Sequence, residues 1–434
     1  MGSQAVGSQA VTVRIGVFFD GTGNNRDNSL RGLASPEDVP AGFAGRSYAN
    51  ALTNVALLHE LYPRDGRTFL KQYVEGVGTL ADAPDSWFAQ ATGRRDSGVR
   101  ARVAQAAQAI GGQLQALLAR EPGLQIKGLE FDLFGFSRGA AAARHFANDL
   151  GRGGESLLAM ALEDCPSLAA GRFSWGAGVV INFIGLFDTV AAIFSPLTDE
   201  HGMGDLCLGL GTDTARRMVQ LVAADEHRHH FPLVGSAYDI VLPGAHADIG
   251  GGYPECMREQ VMLCKPRSNR VPMGTPAQRT AAYAEVSKLL ESEGPLSLSR
   301  IVTWERPLQQ HRARREDPHK QVHVALYRER EVLGHLSQVY LRVMRALAVE
   351  GGVPFAVVEG ELPRELQMIS GKLQDFALGR VADPGLTDEE QELLHGRYIH
   401  TSAHWNPLKG LRNSGLDVLY LDRPAEGGRV VLTA

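Results

Sequence analysis

Short apolar runs alternate with stretches whose apolar positions recur at helical spacing, the pattern of a parallel sheet covered by helices. The first run, Val11 to Phe19, predicts a strand that ends in the turn-rich segment Asp20-Gly21-Thr22-Gly23-Asn24-Asn25. Ala51 to Tyr62 predicts a helix and Phe69 to Glu75 a second strand. Val103, Ala107, Ile110, Leu114 and Leu117 mark one apolar helix face. Leu129 to Phe134 predicts a strand and Ala140 to Leu150 the helix after it. Val179 to Phe187 is almost continuously apolar, as in a central strand buried on both faces, and it stops at Asp188. Met218 to Ala224 suggests a helix, and Tyr238 to Leu242 a short strand before Pro243 to Tyr253.

After Tyr253 the pattern changes. Residues 254 to 320 are rich in charge and proline and predict only a helix around Ala277 to Glu293. The basic cluster His311-Arg312-Ala313-Arg314-Arg315 reads as a solvated loop. Leu333, Leu336, Tyr340, Val343 and Leu347 form an amphipathic stripe, which suits core packing better than a lid or a lipid surface. Thr387 with Glu390 has the form of a capping box and predicts a helix over Thr387 to Leu394. A closing strand pair is expected near Val418 to Leu421 and Val430 to Leu432. The expected organisation is a catalytic core over 10–255 and a C-terminal helical or cap region over 256–434, whose late strands complete the core.

Composition narrows the classes. With 44% hydrophobic and 21% charged residues the 434-residue chain can bury a substantial core. A net charge of −5 argues against nucleic acid as a partner, because phosphate binding needs a concentrated basic surface. Four cysteines, Cys165, Cys207, Cys256 and Cys264, form no C-x-x-C pair and read as reduced. The beginning MGSQAVGSQAVTVRIG lacks a basic start followed by an apolar core, and no apolar run reaches membrane-span length. A soluble protein made without a signal peptide is the expectation, so export would need a signal-independent machine.

The chemistry centres on Gly135-Phe136-Ser137-Arg138-Gly139. This is the G-x-S-x-G nucleophile elbow, in the strand-turn-helix setting it requires. Ser137 is the candidate nucleophile, and the Arg138 amide at the helix start is a candidate oxyanion donor. A serine hydroxyl needs a histidine base, and the base needs a carboxylate. Asp188 ends the strand after the nucleophile strand and suits the acid. For the base, His246 follows the next strand, whereas His404, with His400 nearby, occupies the late position of the usual Ser, Asp, His order. With His404 as base, Asp248 becomes the alternative acid. His227, His229 and His230 read as surface residues at a charged helix terminus. A serine mechanism requires no cofactor. The oxygen-rich turn at Asp248 suits calcium, but no regular ligand loop accompanies it. Two other readings remain open: an esterase for small soluble substrates, and a non-catalytic ligand-binding protein on the same scaffold.

Four segments together resemble a known family: Phe18-Phe19-Asp20-Gly21-Thr22-Gly23-Asn24-Asn25, the elbow, Gly185-Leu186-Phe187-Asp188-Thr189-Val190 and Gly244 to Tyr253. In this order, over roughly residues 10 to 255, they look like the bacterial phospholipase effectors of the type VI secretion system. The C-terminal third matches loosely, mainly at Tyr398 to Trp405. The resemblance implies an α/β-hydrolase-like fold, with a mostly parallel central sheet flanked by helices and insertions or a helical cap. It implies Ser137 as nucleophile, Asp188 as acid and His246 as base, with Asp20, Gly21 and Thr22 lining the site and supplying a second oxyanion donor. It further implies attack on the acyl esters of a glycerophospholipid bilayer, a secretion-spike or adaptor partner, a cognate immunity protein, and delivery to the periplasm of target bacteria.

Overall fold

The computed structural model describes residues 9–34, 50–78, 98–163, 165, 173–191, 193–194, 201–202, 205–293, 298–308, 318–407 and 420–434. Its strands are β1 (Gln9–Phe19), β2 (Phe69–Val74), β3 (Leu124–Phe136), β4 (Val179–Phe187), β5 (Ile193–Phe194), β6 (His201–Gly202), β7 (Arg217–Ala223), β8 (Leu233–Val234), β9 (Asp239–Leu242), β10 (Cys256–Met262), β11 (Arg267–Pro272), β12 (Ser299–Pro307), β13 (His319–Leu333) and β14 (Val431–Leu432). The helices are α1 (Arg26–Ala34), α2 (Asn54–Leu61), α3 (Val99–Arg120), α4 (Arg138–Leu150), α5 (Leu157–Ala161), α6 (His246–Gly250), α7 (Ala281–Ser292), α8 (Leu336–Glu350), α9 (Arg364–Ala377) and α10 (Asp388–Arg397).

Six strands form one parallel sheet in the order β2-β1-β3-β4-β7-β9. Strand alternation divides its side chains between two apolar layers. Val13, Ile15, Val17, Leu129, Phe131 and Leu133 pack with α3 and α4 on one face. Phe18, Phe134, Phe183 and Phe187 pack with α2, α8 and α9 on the other. An α/β-hydrolase-like sheet flanked by helices is the fold. Both faces are covered, as a parallel sheet demands, and the second cover comes largely from beyond residue 330.

Two sequence expectations are corrected. Met218 to Ala224 is not a helix. Met218 to Ala223 lies in β7, pairing in parallel with β4 and β9, and Ala224 follows in a turn. A short apolar run fits either element by periodicity, and burial between two strands decides for the sheet. Residues 254 to 320 hold strands as well as the expected helix. Strands β10, β11 and β12 all pair antiparallel with β13. Helix α7 covers this sheet at Val322, Val324 and Leu326, whereas β12 is largely exposed. Charges on the open face disguised the alternation.

Helix α8 buries Leu336, Tyr340, Val343 and Leu347 in the core, so its stripe is neither lid nor lipid surface. The capping box at Thr387 and Glu390 is present at α10. Val431–Leu432 pairs in parallel with β8; of the strand expected over Val418 to Leu421, positions 418 and 419 lie outside the described residues, and Tyr420 and Leu421 are not in a strand. The basic cluster from His311 to Arg315 also lies outside them. Among the described residues no helix is long and apolar enough to cross a membrane.

Candidate active site

β3 runs into α4 through a single residue. Ser137 has φ 56° and ψ −123°, a strained conformation for a residue with a β-carbon. The surroundings enforce it. The Ser137 N–H donates to the Phe187 carbonyl at 3.0 Å, and the Ser137 carbonyl accepts from Ala140 at 3.0 Å. A β-carbon at Gly139 would strike the carbonyl oxygens of Phe19 and Asp20, and one at Gly135 would overlap α4. The two motif glycines therefore let helix, strand and the end of β1 close around the serine.

Asp188, one residue past β4, is the other described non-glycine residue with positive φ, 44°. It is fully buried. Its carboxylate accepts from the Ala223 N–H at 3.0 Å, from both terminal nitrogens of Arg429 at 2.7 Å each, and lies 2.5 Å from His246 Nδ1. Burial opposes its ionisation, but the Arg429 charge and the hydrogen bonds of His246 and Arg429 hold it well below the usual carboxylate range.

His246 opens α6, with its ring 4.6 Å from that of Phe136 and 5.0 Å from that of Phe231. Phe136 precedes Ser137, so the imidazole lies over the elbow strand. Gly250 permits this, because a β-carbon there would collide with the Phe136 ring. Burial lowers the His246 pKa below the ordinary imidazole value, against the raising pull of Asp188. The ring is therefore neutral at pH 7. With Nδ1 directed at Asp188, its proton is assigned there, which leaves Nε2 as an acceptor.

The competing residues lie elsewhere. Asp248 does not meet His404. It accepts from His400 Nδ1 at 2.7 Å, from the His400 N–H at 3.0 Å and from the Ala245 N–H at 3.0 Å. His404 Nε2 is instead 3.8 Å from Asp422. His227, His229 and His230 follow β7, not a helix, and of the three only His227 is exposed, the other two being half-buried; His230 Nε2 is 3.1 Å from Arg423. The Asp20 to Thr22 turn packs against the elbow. Asp20 accepts from the Gly21 N–H at 2.6 Å, Thr53 at 2.8 Å and Tyr73 at 2.6 Å. Burial pushes its pKa up to about 6, although these donors pull it down.

Arg429, Glu226, Arg228 and Phe231 escaped sequence reasoning. Buried Glu226 binds Arg228 at 2.9 Å and accepts from the His246 N–H at 3.3 Å, and the Arg228 guanidinium lies 3.3 Å from the Phe231 ring centroid. Burial opposes its ionisation, yet Arg228 holds its pKa at about 2. A charge run after β7 gave no hint of this, and Arg429 reaches Asp188 across 241 residues. Among the described residues no group of three or more His, Cys, Asp or Glu side chains gathers as a metal site.

No protein-family model matches the chain, and no curated protein matches it. Among solved structures it is similar to the Tle1 effector bound to the VgrG spike from the Type 6 secretion system, with 26% identity, a TM-score of 0.73, and coverage of 98% of this chain and 94% of that one. A crystal structure of an uncharacterized protein from Pseudomonas aeruginosa is similar at 20% identity and a TM-score of 0.42, over 86% of this chain and 52% of that one.

Proposed function

We propose that this chain is a serine-dependent phospholipase that cleaves glycerophospholipid acyl esters as an antibacterial type VI secretion effector. The observation that carries it is the strained Ser137, held beside the end of β4 where Asp188 binds a buried neutral His246. Similarity to the Tle1 effector along nearly the whole of both chains supports the effector role. That neighbour is bound to a VgrG spike. We extend a spike-type partner to this chain, to be checked by co-purification with one, and an immunity protein with it.

In this mechanism His246 Nε2 takes the Ser137 proton as Oγ attacks the acyl carbonyl carbon. Asp188 steadies the imidazolium. The Arg138 N–H and the Asp20 to Thr22 turn face the developing oxyanion. His246 then returns the proton to the departing glycerol oxygen, leaving an acyl group on Ser137. Water, deprotonated by the same imidazole, releases the fatty acid and restores the serine.

Fatty-acid release from vesicles of phosphatidylethanolamine and phosphatidylglycerol tests the reading. Ser137→Ala is expected to lose on the order of a thousandfold or more of kcat/KM while keeping its fold, and a fluorophosphonate probe should label wild type alone. Unchanged turnover in folded Ser137→Ala would remove the serine from the mechanism. Turnover of dispersed esters with none on vesicles would convert the reading to a soluble esterase. Lysis of cells only when active protein is directed to the periplasm checks the antibacterial part.

A further inference from the structure

Apart from Arg138, the buried and half-buried arginines among the described residues have partners. Arg14 binds Asp132, Arg102 binds Glu75, Arg228 binds Glu226, Arg330 binds Glu259 and Arg429 binds Asp188. Arg144, which lacks an acid, donates to Gln220 at 2.9 Å and to the Val234 carbonyl at 3.0 Å. Arg138 is different. Its Nη1 is buried without a hydrogen-bond partner, and among the described residues no carboxylate pairs with it, although the residue keeps some solvent access. The acids near the elbow are engaged elsewhere: Asp20 gives its oxygens to Gly21, Thr53 and Tyr73, and Asp188 gives its own to Ala223, His246 and Arg429.

A desolvated guanidinium without an anion is costly, and its position beside the candidate nucleophile gives that cost a use. Burial lowers its pKa to about 10, still far above neutrality, so it remains a cation. A second buried polar atom without a partner, Thr22 Oγ1, belongs to the turn at the end of β1 that packs on the elbow. Two unsatisfied donors thus sit on the two segments that flank Ser137. In a glycerophospholipid the phosphate lies a few bonds from the scissile ester, a separation that an arginine on the residue after the nucleophile can span. Guanidinium matches phosphate geometry with paired N–H groups.

We propose that the Arg138 side chain, assisted by the Thr22 hydroxyl, binds the substrate's phosphodiester and sets selectivity for phospholipid over neutral acylglycerol. The assignment rests on the phospholipase reading and deepens it. Its backbone N–H would serve the oxyanion while its side chain selects the headgroup, and choline, ethanolamine or glycerol beyond the phosphate would matter less.

The experiment compares phosphatidylglycerol with diacylglycerol of the same acyl chains in mixed micelles, for wild type, Arg138→Met, Arg138→Lys and Thr22→Val. Arg138→Met is expected to lower the ratio of kcat/KM on phospholipid to that on diacylglycerol by about tenfold or more, mainly through KM. Arg138→Lys should restore part of that ratio, and Thr22→Val should shift it less. An equal loss on both lipids overturns the proposal, because Arg138 would then serve only the elbow. A readout without turnover accompanies it: the thermal shift produced by glycerol 3-phosphate, expected in wild type and absent in Arg138→Met. Equal shifts in both, or none in either, would also overturn the assignment. Absence of turnover by wild type on both lipids would sink the phospholipase reading instead, and the thermal shift would still decide the phosphate site.

Discussion

Two buried Asp–His pairs lie in this molecule, built from the same residue types at almost the same separation. Asp188 and His246 Nδ1 are 2.5 Å apart, Asp248 and His400 Nδ1 2.7 Å. Their neighbours differ. Asp188 carries a bidentate arginine and sits at the end of the strand beside the serine. Asp248 spends its other contacts on the Ala245 and His400 backbone N–H groups, tying the start of α6 to the C-terminal segment. The His400 ring stacks on Tyr253 at 3.7 Å, and its Nε2 is buried without a partner. A histidine paired to a carboxylate is therefore no sign of catalysis alone. The first pair borders the elbow at Phe136 and Phe187, whereas the second holds the helix that carries His246.

The widest expected split between the pairs is in turnover. His246→Ala and Asp188→Asn should each lower kcat/KM by about a thousandfold or more, and neither should add fully to Ser137→Ala. Asp248→Asn should instead show its main effect in urea denaturation, at about 1–3 kcal/mol for a weakened buried network, with a smaller kinetic loss. If His400→Gln were as inactive as His246→Ala at unchanged stability, the division of roles would collapse.

A smaller effect should come from Arg429. Arg429→Met leaves Asp188 buried with its charge half compensated, a loss of about 3 kcal/mol in stability by analogy with broken buried pairs. Activity should fall with it, because Asp188 then ionises less readily. Arg429→Lys should recover stability only in part, since one ammonium cannot reproduce the two-point contact. A variant with full stability and full activity would show that the arginine does not hold the acid.

The finest distinction is in pH. Burial depresses the His246 pKa, and only the neutral ring accepts a proton. Activity should therefore fall as pH drops through an inflection below the ordinary histidine value of about 6.5. Asp188, depressed further, stays ionised across that range. A kcat/KM profile on a soluble ester, with its inflection above that value, would contradict a buried base.

Much of this arrangement was legible in the residue order. The elbow is local: a strand, a serine with a glycine two positions to either side and a helix must follow one another within a few positions, so Gly135 to Gly139 announced itself. Asp188 and His246 were readable as strand-end residues because parallel strands deliver their carboxyl ends to one edge. The strand at β7 was misassigned because a short apolar run has no period of its own, and β10 to β13 were hidden because one sheet face is open to water.

The alternation of elements, the elbow and the strand-end positions of Asp188 and His246 follow from residue order, since each depends on neighbours along the chain. Which histidine meets which aspartate emerges from the folded chain alone. Asp248 is two residues from His246 yet pairs with His400 across 152 residues, and Arg429 finds Asp188 across 241. Such contacts are fixed by how covering helices and the returning C-terminal segment close on the sheet, and buried charges then take the partners that packing leaves within reach.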